Sequence, residues 1–220
     1  GGGMKYLAIP AMLLSLSACD QGIKEYSISI TNMTNAQPLS PPAALLHSSS
    51  YSAWAIGESA SVEIERLAEG GDSSSLLAMK HGHPVFSSDA PLLPGESISF
   101  SLMTRNKSLT HLTLAGMLVN TNDAFAGVNA MELVGMTAGH TRVVYSYALD
   151  AGTELNSEHA GTIPGPADGG EGFNAVRDDV ISVVTSHGGV VSHDDGYTGS
   201  VLTEAHRFIG PVLRVEITAM

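Results

Sequence analysis

The sequence predicts an all-β fold, an antiparallel sandwich or barrel, on three observations. Apolar and polar residues alternate with period two, turn-rich segments separate the alternating runs, and only two stretches carry helical spacing. Tyr26, Ile28 and Ile30 alternate with Ser27, Ser29 and Thr31, the pattern of a strand with one face in a core and one in water. Ile98, Phe100 and Leu102 alternate with serines directly after the turn signal Pro94-Gly95. Leu112 to Asn120 and Arg142 to Leu149 are apolar or β-branched runs long enough for central strands, and Val180 to Thr185 is another such run. Leu213, Val215 and Ile217 alternate with Arg214, Glu216 and Thr218 to close the chain. The first helix is expected over Val62 to Glu69, capped by Ser61, with Ile64, Leu67 and Ala68 on one face and Gly70 as its stop. The second is expected over Ser73 to Lys80, ended by Gly82 and Pro84. Asn156 to Asn174 is Gly- and Pro-rich and reads as a long loop over one end of the fold. With no internal repeat and no domain linker, Glu25 to Met220 reads as one domain.

Charge narrows the function. Of 220 residues, 43% are hydrophobic, and 22 acidic side chains stand against 10 basic ones, for a formal net charge of −12. That balance excludes a phosphate-backbone binder, which needs a basic face to displace counterions. It also argues against a polybasic grip on anionic lipid. Carboxylates with few bases to pair with are left free for a hard cation.

Gly1 to Gly3 precede the first methionine and are set aside from the fold. Lys5 and the apolar run Tyr6 to Leu16 have the proportions of a secretory signal, too short for the roughly 20 residues a membrane span requires. Leu16-Ser17-Ala18-Cys19 then resembles a bacterial lipobox, in which the cysteine is acylated and becomes the first mature residue. As the only cysteine of the chain, Cys19 has no internal disulfide partner. Met4 to Ala18 is thus expected to be a lipoprotein signal peptide, and residues 19–24 a lipidated N-terminus and linker. Asp20 resembles the inner-membrane retention signal of some Gram-negative bacteria. The expected location is the bacterial cell envelope, anchored by lipid to the inner or outer membrane.

Four segments resemble, in order, the spondin domain, the N-terminal module of F-spondin and mindin that also occurs in bacterial envelope proteins. The first is Asn35 to Pro42; the second runs from His47-Ser48 through Tyr51, Trp54, Gly57 and Leu67-Ala68-Glu69 to Leu76. Asn122-Asp123-Ala124-Phe125-Ala126-Gly127 is the third, and Asp150-Ala151-Gly152-Thr153-Glu154 the fourth. The resemblance implies a C2-like antiparallel β-sandwich and a calcium ion held by loop carboxylates at one end. Carried over residue by residue, the implied ligands are Asp123, Asp150 and Glu154, the last standing where the family usually has Asp.

Calcium takes six to eight oxygens from carboxylates, carbonyls and water. Asp150 and Glu154 can converge if Gly152 turns the backbone sharply. Read from composition alone, the same acids are solvated groups at strand ends, and it is the resemblance that favours the ion. Asp168 to Glu171 and His193 to Gly196 are acidic loops open to a second ion or to ordinary turn formation. His81-Gly82-His83 suits zinc or copper in ligand type, but no third ligand follows at a zinc-site spacing. Neither a Gly-x-Ser-x-Gly elbow nor a His-Glu-x-x-His pair nor a nucleotide loop is present. His47 and His206 could meet Ser and Asp only through geometry that sequence does not show. The expectation is a non-enzymatic, calcium-binding protein acting in adhesion or in recognition of a protein or glycan. The alternative is a structural subunit that self-associates or decorates an envelope assembly.

Overall fold

A computed structural model of the chain describes residues 22–220, so Cys19 and the signal segment lie outside the described residues. In chain order come β1 (Lys24–Asn32), β2 (Ala43–His47), α1 (Val62–Gly70), α2 (Ser74–Ala78), β3 (Val85–Ser87) and β4 (Ser97–Thr104). There follow β5 (His111–Met117), β6 (Ala124–Glu132), β7 (Thr141–Ser146), β8 (Leu149–Asp150), β9 (Thr185–Ser186) and β10 (Leu213–Ala219). These strands form two antiparallel sheets, one of four strands in the order β4-β1-β10-β7 and one of six in the order β3-β2-β5-β6-β8-β9. The expected all-β sandwich with two short helices is what the chain builds.

The four-stranded sheet has one wet face, which is why its strands alternate. Ile28, Ile30, Leu102, Val215 and Ile217 point inward and pack against Leu46, Leu112, Leu114 and Ala126 of the other sheet. Their serine and threonine neighbours point outward, with Thr31 bonded to Ser97 and Thr141 to Thr218 across the strands. The six-stranded sheet is covered on both faces. Helix α1 lays Ile64, Leu67 and Ala68 against Ala115, Phe125, Ala151 and Val184 on its outer side. Ser61 caps this helix through the Ile64 N–H, and Gly71, in the left-handed region at φ 69°, ends it one residue beyond the expected Gly70.

Three expected elements are redrawn. The run Leu112 to Asn120 leaves β5 after Met117: Leu118 keeps an isolated bridge to Leu39, and Thr121 Oγ1 bonds the Leu118 carbonyl and the Ala124 N–H to make a turn. Arg142 to Leu149 is two strands, β7 in one sheet and β8 in the other, with the chain crossing between layers at Tyr147 and Ala148. Val180 to Thr185 is chiefly a loop: Val180 is 85% exposed, Ile181 66%, and Asp179 Oδ1 accepts the Ile181 N–H to fold a local turn. Only Thr185–Ser186 of that neighbourhood pairs, as β9 beside β8. Asn156 to Asn174 is the expected loop.

Candidate metal centre

The layer crossing after β7 positions the site. It sends Leu149 and Asp150 alongside β6, so that Asp150 pairs with Ala124 and lies beside Asp123. The chain then turns at Gly152, whose φ is 68° and where a Cβ would overlap the Val183 carbonyl. This turn aims the Thr153 and Glu154 N–H groups at Asp123 Oδ2, at 2.9 and 3.1 Å. Asp123 is fully buried, and its other oxygen, Oδ1, has no hydrogen-bond partner. Asp150 accepts the Gly152 N–H at 2.8 Å through Oδ1 and the Asn156 amide at 2.6 Å through Oδ2.

A residue absent from the expected set completes the group. The ligand-capable atoms of Asp123, Asp150 and His187 all lie within 4.8 Å of one another. His187 arrives because β9 pairs with β8; a lone histidine in a loop carries no spacing signal, so sequence reasoning passed over it. Its Nδ1 accepts the Gly189 N–H at 2.9 Å, so the neutral ring carries its proton on the buried, unpartnered Nε2. The imidazole therefore offers an N–H to this group rather than a lone pair. Burial holds its pKa below the ordinary range, opposed by the charge of Asp150.

Glu154 is close but turned away. Its Oε1 accepts the Asn122 amide at 2.7 Å, and it stands outside the trio made by Asp123, Asp150 and His187. Burial, followed by the neighbouring charges of Glu69, Asp123 and Asp178, pushes its carboxyl up to about 8 against the Asn122 hydrogen bond. Asp123 is pushed up to about 7, first by burial and then by Asp150, against the amides of Thr153 and Glu154. Among the described residues no Lys or Arg pairs with any of these three acids; Arg177 is held by Glu65 at 2.8 Å. A cleft of about 200 Å³ reaches the site at Asp150 and is lined also by Asn156, Asp179 and Thr185 and by the aliphatic Leu155, Val180, Ile181 and Val183.

The donor set fits a hard divalent cation. An orphaned buried carboxylate oxygen and a second carboxylate at the edge of a cleft suit an ion that accepts carboxylates and water. A transition ion that prefers imidazole nitrogen would require His187 to give up its Gly189 bond and move its proton. The other constellations are occupied otherwise. Asp168 Oδ2 accepts the Gly161 and Ile163 N–H groups, and Asp195 caps Ser192 and pairs with Arg207. His83 bonds the Leu46 carbonyl, His47 bonds Thr113 and the Ser48 carbonyl, and His206 accepts the Thr203 N–H. No protein-family model and no curated protein matches the chain.

Proposed function

We propose that the chain is a lipid-anchored, calcium-binding envelope protein of the spondin type, acting non-catalytically in adhesion or in recognition of a protein or glycan. The observation that carries the reading is Asp123 Oδ1, a buried carboxylate oxygen without a hydrogen-bond partner among the described residues, grouped with Asp150 and the neutral ring of His187 and paired with no Lys or Arg. An arrangement of this kind is costly unless a cation joins it. Asp123 and Asp150 are the direct ligands, His187 donates to the oxygens around the ion, and Glu154 backs the loop through Asn122. The ion orders the loops around the cleft, and the cleft's open side leaves coordination positions for an acidic partner. Anchoring is assigned to Cys19 on the lipobox resemblance.

Trp54, the only tryptophan of the chain, reports on this site. Its ring meets Phe125 edge-on at 5.1 Å, two residues from Asp123. Calcium added to metal-stripped protein is expected to change Trp54 emission saturably, and mass spectrometry of protein from membranes is expected to show acylated Cys19. An unchanged emission spectrum with no calcium protection against unfolding would overturn the ion reading; an unmodified Cys19 would overturn the anchor.

A second reading, self-association, is favoured by one feature. Strand β7 is an edge strand with Val143 and Tyr145 exposed on its outer face. Sedimentation of the calcium-free protein across concentration separates the two, since a constant monomer mass excludes assembly through that edge.

A further inference from the structure

The sandwich has two electrically different poles. Strand β6 runs from Ala124, next to the carboxylates, to Glu132 at the other end, about 26 Å at the usual strand rise. The chain enters at that far end. Lys24 pairs with Thr104, which places the first described residues beside the turn Arg105–Ser108. The Leu133 N–H bonds the Thr110 carbonyl and brings the turn after β6 to the same place.

Basic side chains collect there. Lys24, Arg105 and Lys107 are all exposed and form no salt bridge among the described residues, and Arg142 is close by, bonded to the Glu132 carbonyl. Among the described residues Glu25 and Glu132 are the acidic side chains of this pole, where the last residue, Met220, also lies, its N–H bonded to the Glu25 carbonyl; Glu65, Glu69, Asp123, Asp150, Glu154, Asp178 and Asp179 gather at the other. Ile23, Met103 and Val134 stand exposed among the basic groups. Between them a groove of about 460 Å³ is lined by Lys24, Lys107, Leu109, Val134 and Met136.

We infer that this pole is a membrane-facing surface that lies on an anionic phospholipid bilayer. Lys24, Arg105 and Lys107 meet the headgroups, while Ile23 and Val134 enter the interface. Three facts select a bilayer as occupant. Exposed cations are interleaved with aliphatic side chains, the combination that an interfacial surface uses. Cys19 stands three residues before Gly22, a reach of about 10 Å of extended chain, so an acyl group there would hold this pole at the bilayer. The acidic pole is about 26 Å away, beyond two Debye lengths of about 8 Å at physiological salt, so its charge does not cancel the local attraction. The overall negative charge that argues against lipid binding thus misses the distribution. The orientation follows: the carboxylate pole faces away from the anchoring membrane, and its partner is met across the envelope space. That orientation rests on the acylation of Cys19; the lipid contact does not.

The test uses the mature chain, Cys19 to Met220 with Cys19→Ser and so without the apolar run Tyr6 to Leu16, co-sedimented with vesicles of pure phosphatidylglycerol or pure phosphatidylcholine. The expected result is binding to phosphatidylglycerol alone, weakened as salt rises. Each basic side chain near an anionic surface contributes roughly fivefold, so Lys24→Gln, Arg105→Gln and Lys107→Gln together should cost on the order of 100-fold. All three are exposed, and an unchanged thermal unfolding curve verifies that the fold persists. Equal binding to both lipids, binding to neither, or a triple variant that binds like its parent overturns the inference. Salt-sensitive binding to an acidic peptide but not to vesicles also overturns it. In the acylated protein, a fluorophore on Ser108→Cys should be quenched by nitroxide lipid and one on Asp179→Cys should not; the reverse pattern overturns the orientation. Loss of acylation at Cys19 would remove the anchor reading and leave the vesicle result standing or falling by itself.

Discussion

Replacing Asp123 by Asn is expected to stabilise the metal-free protein and to abolish its response to calcium. The buried carboxyl of Asp123 is pushed from 3.8 up to about 7 by burial and by Asp150. The unfolded chain therefore releases this proton near pH 4 and the folded chain only near pH 7. Between those values the folded state binds more protons, so stability falls as pH rises and the whole penalty is present above pH 7. Three units correspond to about 4 kcal/mol as an upper figure, and relaxation around an open cleft reduces it to about 2–4 kcal/mol. Asn keeps an oxygen for the Thr153 and Glu154 amides and turns an N–H toward Asp150, removing the charge without changing the shape. Metal-stripped Asp123→Asn at pH 8 should unfold roughly 5–10 °C above its parent, given about 2–4 °C per kcal/mol for a chain of this size. At pH 5 about a third of the penalty has accrued, so the gain should shrink accordingly. Saturating calcium should reverse the order, raising the parent and leaving the variant unmoved. Thermal unfolding followed by circular dichroism, in chelator and in calcium at both pH values, reads all four cases. A variant less stable than its parent in chelator at pH 8 would show that Asp123 is no buried-charge penalty, and an equal calcium shift in both proteins that it is no ligand.

Glu154→Gln should weaken calcium less than about tenfold, while Asp150→Asn should weaken it more than about a hundredfold, because Glu154 is turned to Asn122 and Asp150 faces the ion position; calorimetric affinities decide. Gly152→Ala should destabilise the protein by at least about 2 kcal/mol and remove calcium binding, since a Cβ there meets the Val183 carbonyl and the left-handed turn carries the amides that hold Asp123; denaturant midpoints measure the first effect. Ser61→Ala should cost about 1 kcal/mol through loss of the α1 cap with calcium affinity unchanged, which separates helix stability from the ion site.

Legibility in the sequence followed burial. Strands β1, β4 and β10 alternate because their sheet has one wet face, and period two identifies them directly. Strand β2 is buried at every position, from Ala43 to His47, because α1 and α2 lie over one face of its sheet and the other sheet lies over the opposite face. With no polar side to alternate against, it carries no period. Strand β6 begins within the segment Asn122–Gly127, which in sequence looks like a loop motif. The split of Arg142 to Leu149 depends on which sheet each half joins, a tertiary choice with no local signal. At the site, Asp123 and Asp150 were reached through the family resemblance, and the geometry brings them together. His187 was not, because a two-residue strand places it, and neither was the basic pole, whose Lys24, Arg105 and Lys107 converge only once β1 and β4 pair.

A calorimetric calcium titration of the metal-stripped protein, repeated with Asp150→Ala, decides whether Asp123 and Asp150 form a hard-cation site. One saturable site is expected in the parent and none in the folded variant. A well-folded parent that takes up no calcium, or a variant that binds it as tightly as the parent, would contradict such a site.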